Sequence, residues 1–373
     1  MQRGRITVGS LFDGIGGWLL AAEHAGVVPV WSSEIDPFPM AVSHAHFPNT
    51  KQLGDITKIK GDEIEPVDII CAGSPRQDLS VAGLRAGLEG KRSNLFYQAL
   101  RIVWEMRAKT NGEYPRFFIW ENVTGAFSSN GRRDFQAVLA EIGQADIPMP
   151  KSGRWARSGM VRSEKCGISW RVLDAQFWGV PQHRERIFLV AGFGKRGRFT
   201  EVLFEPESVS GDTDAGKESG EGIAEGTRGS TDTAGKIVFP QRQYSKYEES
   251  EVGSSIRAMG GVYGGGSENI ACVYENHIKD ARYKREEIVP TLSARMGTGG
   301  NNVPLTCSSM ENRIARRLTP IECERLQGFP DGYTAYGADS KRYKALGNGM
   351  AQPCADYVMG QVVKAFTEKT VQK

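Results

Sequence analysis

The chain has 373 residues, with 47 Lys and Arg against 44 Asp and Glu, a formal charge of +3. That is too small to announce a nucleic-acid partner, which must instead be read from a local site. Counting glycine and leaving out tyrosine, about 48% of the residues are apolar, an ordinary share that excludes dominant disorder and supports a buried core.

At roughly 150 residues per domain, the length predicts two to three domains, or one large domain with an insertion. Glycine is the outlier, at 45 residues or about 12% against a usual share of about 7%. It follows no three-residue period, so collagen is excluded. No apolar run approaches the roughly 20 residues of a membrane span. The opening runs straight into a strand pattern, so no signal peptide is expected. The six cysteines form no CxxC pair, and only His277 lies near one of them, Cys272. This pattern predicts reduced thiols in the cytoplasm, with neither a disulfide framework nor a metal site.

In chain order, strands are predicted at Ile6–Phe12, Val28–Ser33, Val67–Ala72, Arg116–Trp120 and Arg186–Ala191. Helices are predicted at Trp18–His24, Asn94–Lys109, Arg133–Ile142 and Cys354–Phe366. Strands alternating with helices imply an α/β fold with a doubly wound, mostly parallel sheet. From Glu207 to Lys236 the sequence dissolves into Gly, Ser, Thr, Asp and Glu, which predicts a flexible tether or surface loop. A weak echo follows: Ser255–Gly261 resembles Thr291–Gly300, and each leads into a short apolar run, Ile270–Val273 and Val303–Thr306. Two copies are too few for a solenoid and suggest paired strand–Gly-loop–strand units in a small second domain.

Six segments carry chemistry. The first, Phe12-Asp13-Gly14-Ile15-Gly16-Gly17, follows the first strand and opens a helix. Its glycines allow a tight turn and close approach to a ligand. Glu34 ends the second strand, where an acidic residue can hold a ribose hydroxyl. Asp55, between Gly54 and Ile56, is expected to reach an adenine edge from the third strand. Together these predict an adenosine-type cofactor. Because the full dinucleotide fingerprint is lacking, S-adenosylmethionine is preferred to NAD. The second segment is Gly73-Ser74-Pro75-Arg76-Gln77, followed by a loop with Gly83, Gly87 and Gly90. The third, Trp120-Glu121-Asn122-Val123, places a carboxylate at a strand's carboxyl end. The remaining three are Gln182-His183-Arg184-Glu185-Arg186, Arg317-Leu318-Thr319-Pro320 through Phe329-Pro330, and Leu346-Gly347-Asn348-Gly349-Met350.

In this order, from Phe12 to the last helix, the segments resemble the motif set of the bacterial and phage cytosine-5 DNA methyltransferases. The resemblance implies a catalytic domain of residues 1–193 and 339–373 and a smaller inserted target-recognition domain of residues 194–338, with DNA in the cleft. The cofactor set expected on this basis is Phe12, Asp13, Gly14, Gly16, Gly17, Glu34, Ile35, Asp55, Ile56, Pro75, Leu95 and Asn348. Glu121 would bind ring nitrogen 3 and the amino group of a cytosine flipped out of the duplex, with Arg184 bracing the pocket beside it. Leu326–Pro330 would help hold the small domain on the catalytic one. Double-stranded DNA is the implied partner, a cognate restriction endonuclease a further one, and the chain is expected to be a monomer without membrane contact.

One position departs from the family. Its nucleophile is a cysteine between the proline and the glutamine of the second segment, and here that position is Arg76. Carbon 5 of cytosine attacks a methylsulfonium only after a thiolate has added to carbon 6 while Glu121 supplies a proton to the ring. Arginine stays protonated and offers no lone pair. Arg76 therefore reads as an inactivating change on an intact scaffold, as a retained DNA-binding and base-flipping protein without turnover, or as a sign of altered chemistry on an exocyclic amino group. The amino-methylating enzymes carry an aromatic residue just after their Ser/Asp/Asn-Pro-Pro, and Ser74-Pro75-Arg76-Gln77 has none. Among weaker features, His183 reads as a solvated loop histidine. Lys279, Arg282, Lys284 and Arg285, interrupted by acids, read equally as phosphate contacts or a solvated helical face. The tryptophans Trp104, Trp120, Trp155, Trp170 and Trp178 read as packing residues.

Overall fold

The structure is a computed structural model that describes residues 5–73, 95–194, 202–204 and 314–367, with isolated strands at 238–243, 246–247, 269–271 and 305–308. The Pro75–Arg76 segment, the glycine loop after it, the 207–236 stretch, both echoing Gly loops and the Lys279–Arg285 cluster lie outside the described residues.

The first unit comprises residues 1–173, 186–209 and 356–373. Its eight strands are β1 (Thr7–Leu11), β2 (Val28–Ser33), β3 (Lys51–Gln52), β4 (Ile69–Gly73), β5 (Phe117–Val123), β6 (Ser158–Arg162), β7 (Cys166–Asp174) and β8 (Glu185–Phe193). They lie in the order β3-β2-β1-β4-β5-β8-β7-β6. The first five are parallel, while β8 runs antiparallel to β5 and β6 to β7. The chain starts at β1, winds outward to β3 and returns beside β1 as β4. With helices between its parallel strands, this order makes it the expected doubly wound α/β fold. The strand order reverses between β1 and β4, and ligands of open α/β sheets bind at the carboxyl ends of the strands at such a switch point.

Burial follows the sequence. The run Phe117–Trp120 of β5 is apolar and completely covered, as suits a central parallel strand. At the edge, β6 alternates exposed and half-buried residues. Helices α1 (Gly17–His24), α2 (Pro37–His46), α3 (Leu95–Lys109) and α4 (Arg133–Gly143) cover the sheet. A relay of edge-to-face rings links Phe127, Phe135, Trp155 and Trp170, with centroids 4.7–6.1 Å apart.

Among the strands and helices of the first unit, four were not anticipated. Helix α2 begins Pro-Phe-Pro, which reads as loop, yet prolines in a first turn forfeit no hydrogen bond and Asp36 caps Phe38 N. Strands β6 and β7 contain Gly159 and Gly167. At Gly159 a Cβ would come within 2.3 Å of the Trp170 ring, so a tertiary contact dictates the glycine. Strand β3 has only two residues, because Gly54 turns the chain with φ +70°.

The second unit comprises residues 174–185 and 210–355. This division differs from the expected 194–338: residues 174–185 and 339–355 also group with it, and 194–209 with the first unit. It contains β9 (Val238–Gln243), β10 (Lys246–Tyr247) and β11 (Asn269–Ala271) in one sheet, and β12 (Leu305–Ser308) with β13 (Ile314–Arg317) in another. It also holds α5 (Pro320–Gln327), α6 (Asp339–Asn348) and the start of α7 (Gln352–Thr367). A capping box, Thr319 with Glu322, starts α5. Fully buried Glu324 accepts bonds from Gly332 N (2.7 Å), Thr334 N (2.8 Å), the Thr334 hydroxyl and Arg342 Nη2 (3.0 Å), fixing the turn between α5 and α6. No helix among the described residues is long and apolar enough to cross a membrane.

Candidate active site at the carboxyl ends of the strands

After β1 the backbone turns through left-handed conformations at Phe12 (φ +55°), Gly14 (+57°) and Gly16 (+88°). Phe12 holds a conformation unfavourable for a side-chain-bearing residue, a strain that clusters at functional sites. Among the described residues no atom lies within 4 Å of where a Gly14 Cβ would project, which leaves room for a ligand on this side of the turn. Glu34, just past β2, clamps the turn. Its Oε2 accepts from Gly14 N (2.9 Å), and its Oε1 accepts from Ile35 N (2.7 Å) and Asp36 N (2.9 Å). Ile35 beside it is 70% exposed, a bare apolar side chain next to the clamp.

Asp13 is buried behind the turn and accepts from the Ser43 hydroxyl at 2.8 Å. Burial pushes its carboxyl up to about 7; the Ser10 and Ser43 hydroxyls oppose the rise and the Glu34 charge adds to it. The Ser33 hydroxyl donates to Gly54 O (2.6 Å) and Leu53 N to Ser32 O (2.7 Å), which brings Gly54–Ile56 to the end of β2. Asp55 follows the short third strand, β3, by three residues. It caps the helical turn Ile56–Lys58, accepting from Thr57 N (2.9 Å) and the Thr57 hydroxyl (2.8 Å), while Ile56 is buried. Gly17 is buried at the start of α1, and half-buried Leu95 starts α3.

Glu121 lies near the carboxyl end of β5, in register with Gly73 at the end of β4. Arg186 Nε meets its Oε1 at 3.1 Å, with both side chains about nine-tenths covered. Its Oε2 lies 3.6 Å from where a Gly73 Cβ would sit, an ordinary van der Waals separation that places this oxygen beside the end of β4. Sequence reasoning named Arg184 and missed Arg186. The signal was the antiparallel register: Val123 faces Arg186, which makes Glu121 and Arg186 a diagonal cross-strand pair on one face.

Arg184 belongs to the second unit. It is 2% exposed, its backbone N–H donates to Asp174 Oδ1 (2.9 Å), and its guanidinium donates to Gly349 O. Gln182 Nε2 donates to Leu326 O (2.8 Å) and Gln327 Nε2 to Leu346 O (2.6 Å). The last three sequence segments are thus knitted together by hydrogen bonds within one unit, with Asn348 exposed at the end of α6. His183 is 45% exposed but is not simply solvated, because its Nδ1 meets Asp174 Oδ2 at 2.8 Å. Cys71, inside β4, is completely covered, and burial with the Asp13 charge pushes its thiol well above the ordinary 9.0.

The residues around the first turn fit an adenosyl group. They offer a left-handed turn with open space at Gly14, a carboxylate that already organises three backbone donors, and an exposed apolar side chain beside it. The chain as a whole is similar to known methyltransferases. The chain is 28% identical over 96% of its length to a DNA N-6-adenine-methyltransferase of Escherichia phage P1, but it spans only 61% of that protein. It is 27% identical to the type II methyltransferase M.NlaX of Neisseria lactamica, covering 97% of this chain and 98% of that one. The solved structure of the Entamoeba histolytica methyltransferase EhMeth shares the fold, with a TM-score of 0.56 at 14% identity over 98% of this chain and 99% of that one. The family profile described as C-5 cytosine-specific DNA methylase matches residues 6–364, and the chain belongs to that family, whose methyl donor is S-adenosylmethionine.

Proposed function

We propose that this protein is a DNA cytosine methyltransferase scaffold that holds a flipped cytosine against Glu121 and that, with Arg76 at the nucleophile's position, transfers little or no methyl to carbon 5. The observation that carries the reading is the Glu121–Arg186 pair beside Gly73. The arginine holds Oε1, and Oε2 lies beside Gly73, the last described residue before the stretch that contains residue 76. A carboxyl so held can exchange a proton with ring nitrogen 3 and accept from the adjacent amino group. When bound, S-adenosylmethionine supplies the methyl group. Glu34 would hold its ribose, Ile35 would cover the adenine face and Asp55 would meet the adenine edge.

Two points support the loss of transfer. A guanidinium cannot add to carbon 6, because it has no lone pair to give. Cys71, the cysteine nearest in sequence, is fully buried with its thiol held well above 9.0, so it supplies no substitute thiolate. Nucleosides from mixed-sequence duplex DNA treated with protein and cofactor, separated and weighed by mass spectrometry, test the reading. DNA and cofactor binding without a methylated nucleoside is expected, and abundant 5-methylcytosine would contradict it.

A second reading, transfer to an exocyclic amino group, is favoured by the name of the phage P1 relative. The same experiment would reveal it as a methylated nucleoside other than 5-methylcytosine. A monomer acting in the cytoplasm of a bacterial or phage-infected cell, with a cognate restriction endonuclease as partner, accompanies the first reading.

A further inference from the structure

The nearly neutral total charge conceals one basic strip. Residues 151–165 carry Lys151, Arg154, Arg157, Arg162 and Lys165 against the single Glu164, all exposed. Because the whole chain carries +3 and this stretch +4, everything else together carries −1. Exposed Arg133 adds a further cation at the start of α4, where the helix dipole disfavours it.

The strip is held by a built support. Between β5 and α4 the chain runs through Asn130 (φ +46°), Gly131 (+64°) and Arg132 (+72°), three left-handed residues in succession, two of them with side chains. This turn grips the basic loop: Arg132 Nη1 donates to Gly153 O at 2.8 Å, and Trp155 Nε1 donates to Arg132 O at 2.9 Å. Trp155 in turn packs edge-on against Phe135 and Trp170. Gly153 N closes a turn onto Pro150 O (2.8 Å), and Arg157 O accepts from Val172 N (2.8 Å) as the chain enters β6. Arg133, Lys151, Arg154 and Arg157 are therefore fixed at the carboxyl end of the sheet, the end that bears Glu121. Lys165 lies at the opposite end. In the strand order β6 stands three places from β5, roughly 14 Å away. That distance corresponds to about four base pairs of duplex.

We infer that Arg133, Lys151, Arg154 and Arg157 form a phosphate-binding flank on the first unit that grips duplex DNA several base pairs from the target base. The inference rests on the proposed reading of the protein as a DNA methyltransferase. The chemistry suits a sugar–phosphate backbone: exposed cations interleaved with exposed Ser152 and Ser158 are phosphate ligands that carry no sequence information. An acidic protein partner would call for an apolar centre, and Met160 is the only large hydrophobic in 151–165 among the exposed ones.

The test is the salt dependence of binding to a 30-base-pair mixed-sequence duplex. Two variants of the full chain are compared with the parent, one with Arg133→Gln, Lys151→Gln and Arg154→Gln, the other with Lys109→Gln and Lys165→Gln at the opposite end of the sheet. Three lost phosphate contacts should flatten the log–log slope by about 2.7, so that between 50 and 200 mM salt the parent loses roughly 40-fold more affinity than the triple variant. The double variant should match the parent, and cofactor binding should be equal in all three. A triple variant with the parental slope, equal flattening by both variants, or loss of binding to polyglutamate with the duplex slope intact would overturn the inference. Failure of the parent to bind any duplex would overturn the DNA reading and this inference with it.

Discussion

Replacing Asp13 by Asn should stabilise the protein, and more at alkaline pH than at acid pH. In the folded chain burial raises the Asp13 carboxyl from an ordinary 3.8 to about 7. Between these values the folded state binds the proton more tightly than the unfolded state, so stability falls as pH rises through that window and levels off above it. At about 1.4 kcal/mol per unit the whole effect is about 4 kcal/mol, of which about 2–3 kcal/mol develops between pH 5 and pH 8. Asparagine does not titrate, and its amide oxygen can still accept from the Ser43 hydroxyl. Urea unfolding of both forms, followed by tryptophan fluorescence and extrapolated to water, gives the two stabilities. The advantage of the Asp13→Asn variant should be about 2–3 kcal/mol larger at pH 8 than at pH 5. An advantage equal at both pH values, or larger at pH 5, would refute the claim that desolvation governs this carboxyl.

Three further outcomes follow from the geometry. Arg186→Leu should destabilise the first unit by about 3 kcal/mol in the same unfolding assay, because it strands a largely covered Glu121 carboxylate, and Arg186→Lys should recover part of the loss; a neutral Arg186→Leu variant would contradict the pair's role. Glu324→Ala should cost at least about 3 kcal/mol, since it leaves Arg342 and the N–H groups of Gly332 and Thr334 without their shared acceptor, whereas a loss under about 1 kcal/mol would show that the turn is held otherwise. Cys71 should stay unmodified by a maleimide in the native protein at pH 8 and react once the chain is unfolded, as peptide mass mapping would show.

The sheet's centre was legible because its strands are apolar runs that need cover on both faces: β2 occupies the expected Val28–Ser33, and β5 and β8 extend the expected runs by a few residues. What was hidden depended on partners far along the chain. Gly159 argues against a strand until Trp170 is seen to fill its side-chain space, and Pro37 and Pro39 argue against a helix until Asp36 is seen to cap it. In the site, the acidic residue after the second strand was readable from its spacing to the glycine turn. Its grip on Gly14 N was not. The choice between two nearby arginines turned on register alone, since Gln182-His183-Arg184-Glu185-Arg186 offers both and only the Val123–Arg186 alignment brings one to Glu121. The basic strip at 151–165 escaped notice because the rest of the sequence cancels its charge.

The central claim is that a complete cytosine-binding scaffold lacks only its nucleophile. Tritium transfer from S-adenosylmethionine to mixed-sequence duplex DNA, measured side by side for the parent and for Arg76→Cys, tests it most directly. Background counts are expected for the parent and recovered 5-methylcytosine for Arg76→Cys. Robust carbon-5 transfer by the parent, or an Arg76→Cys protein that binds cofactor and DNA yet stays inactive, would contradict it.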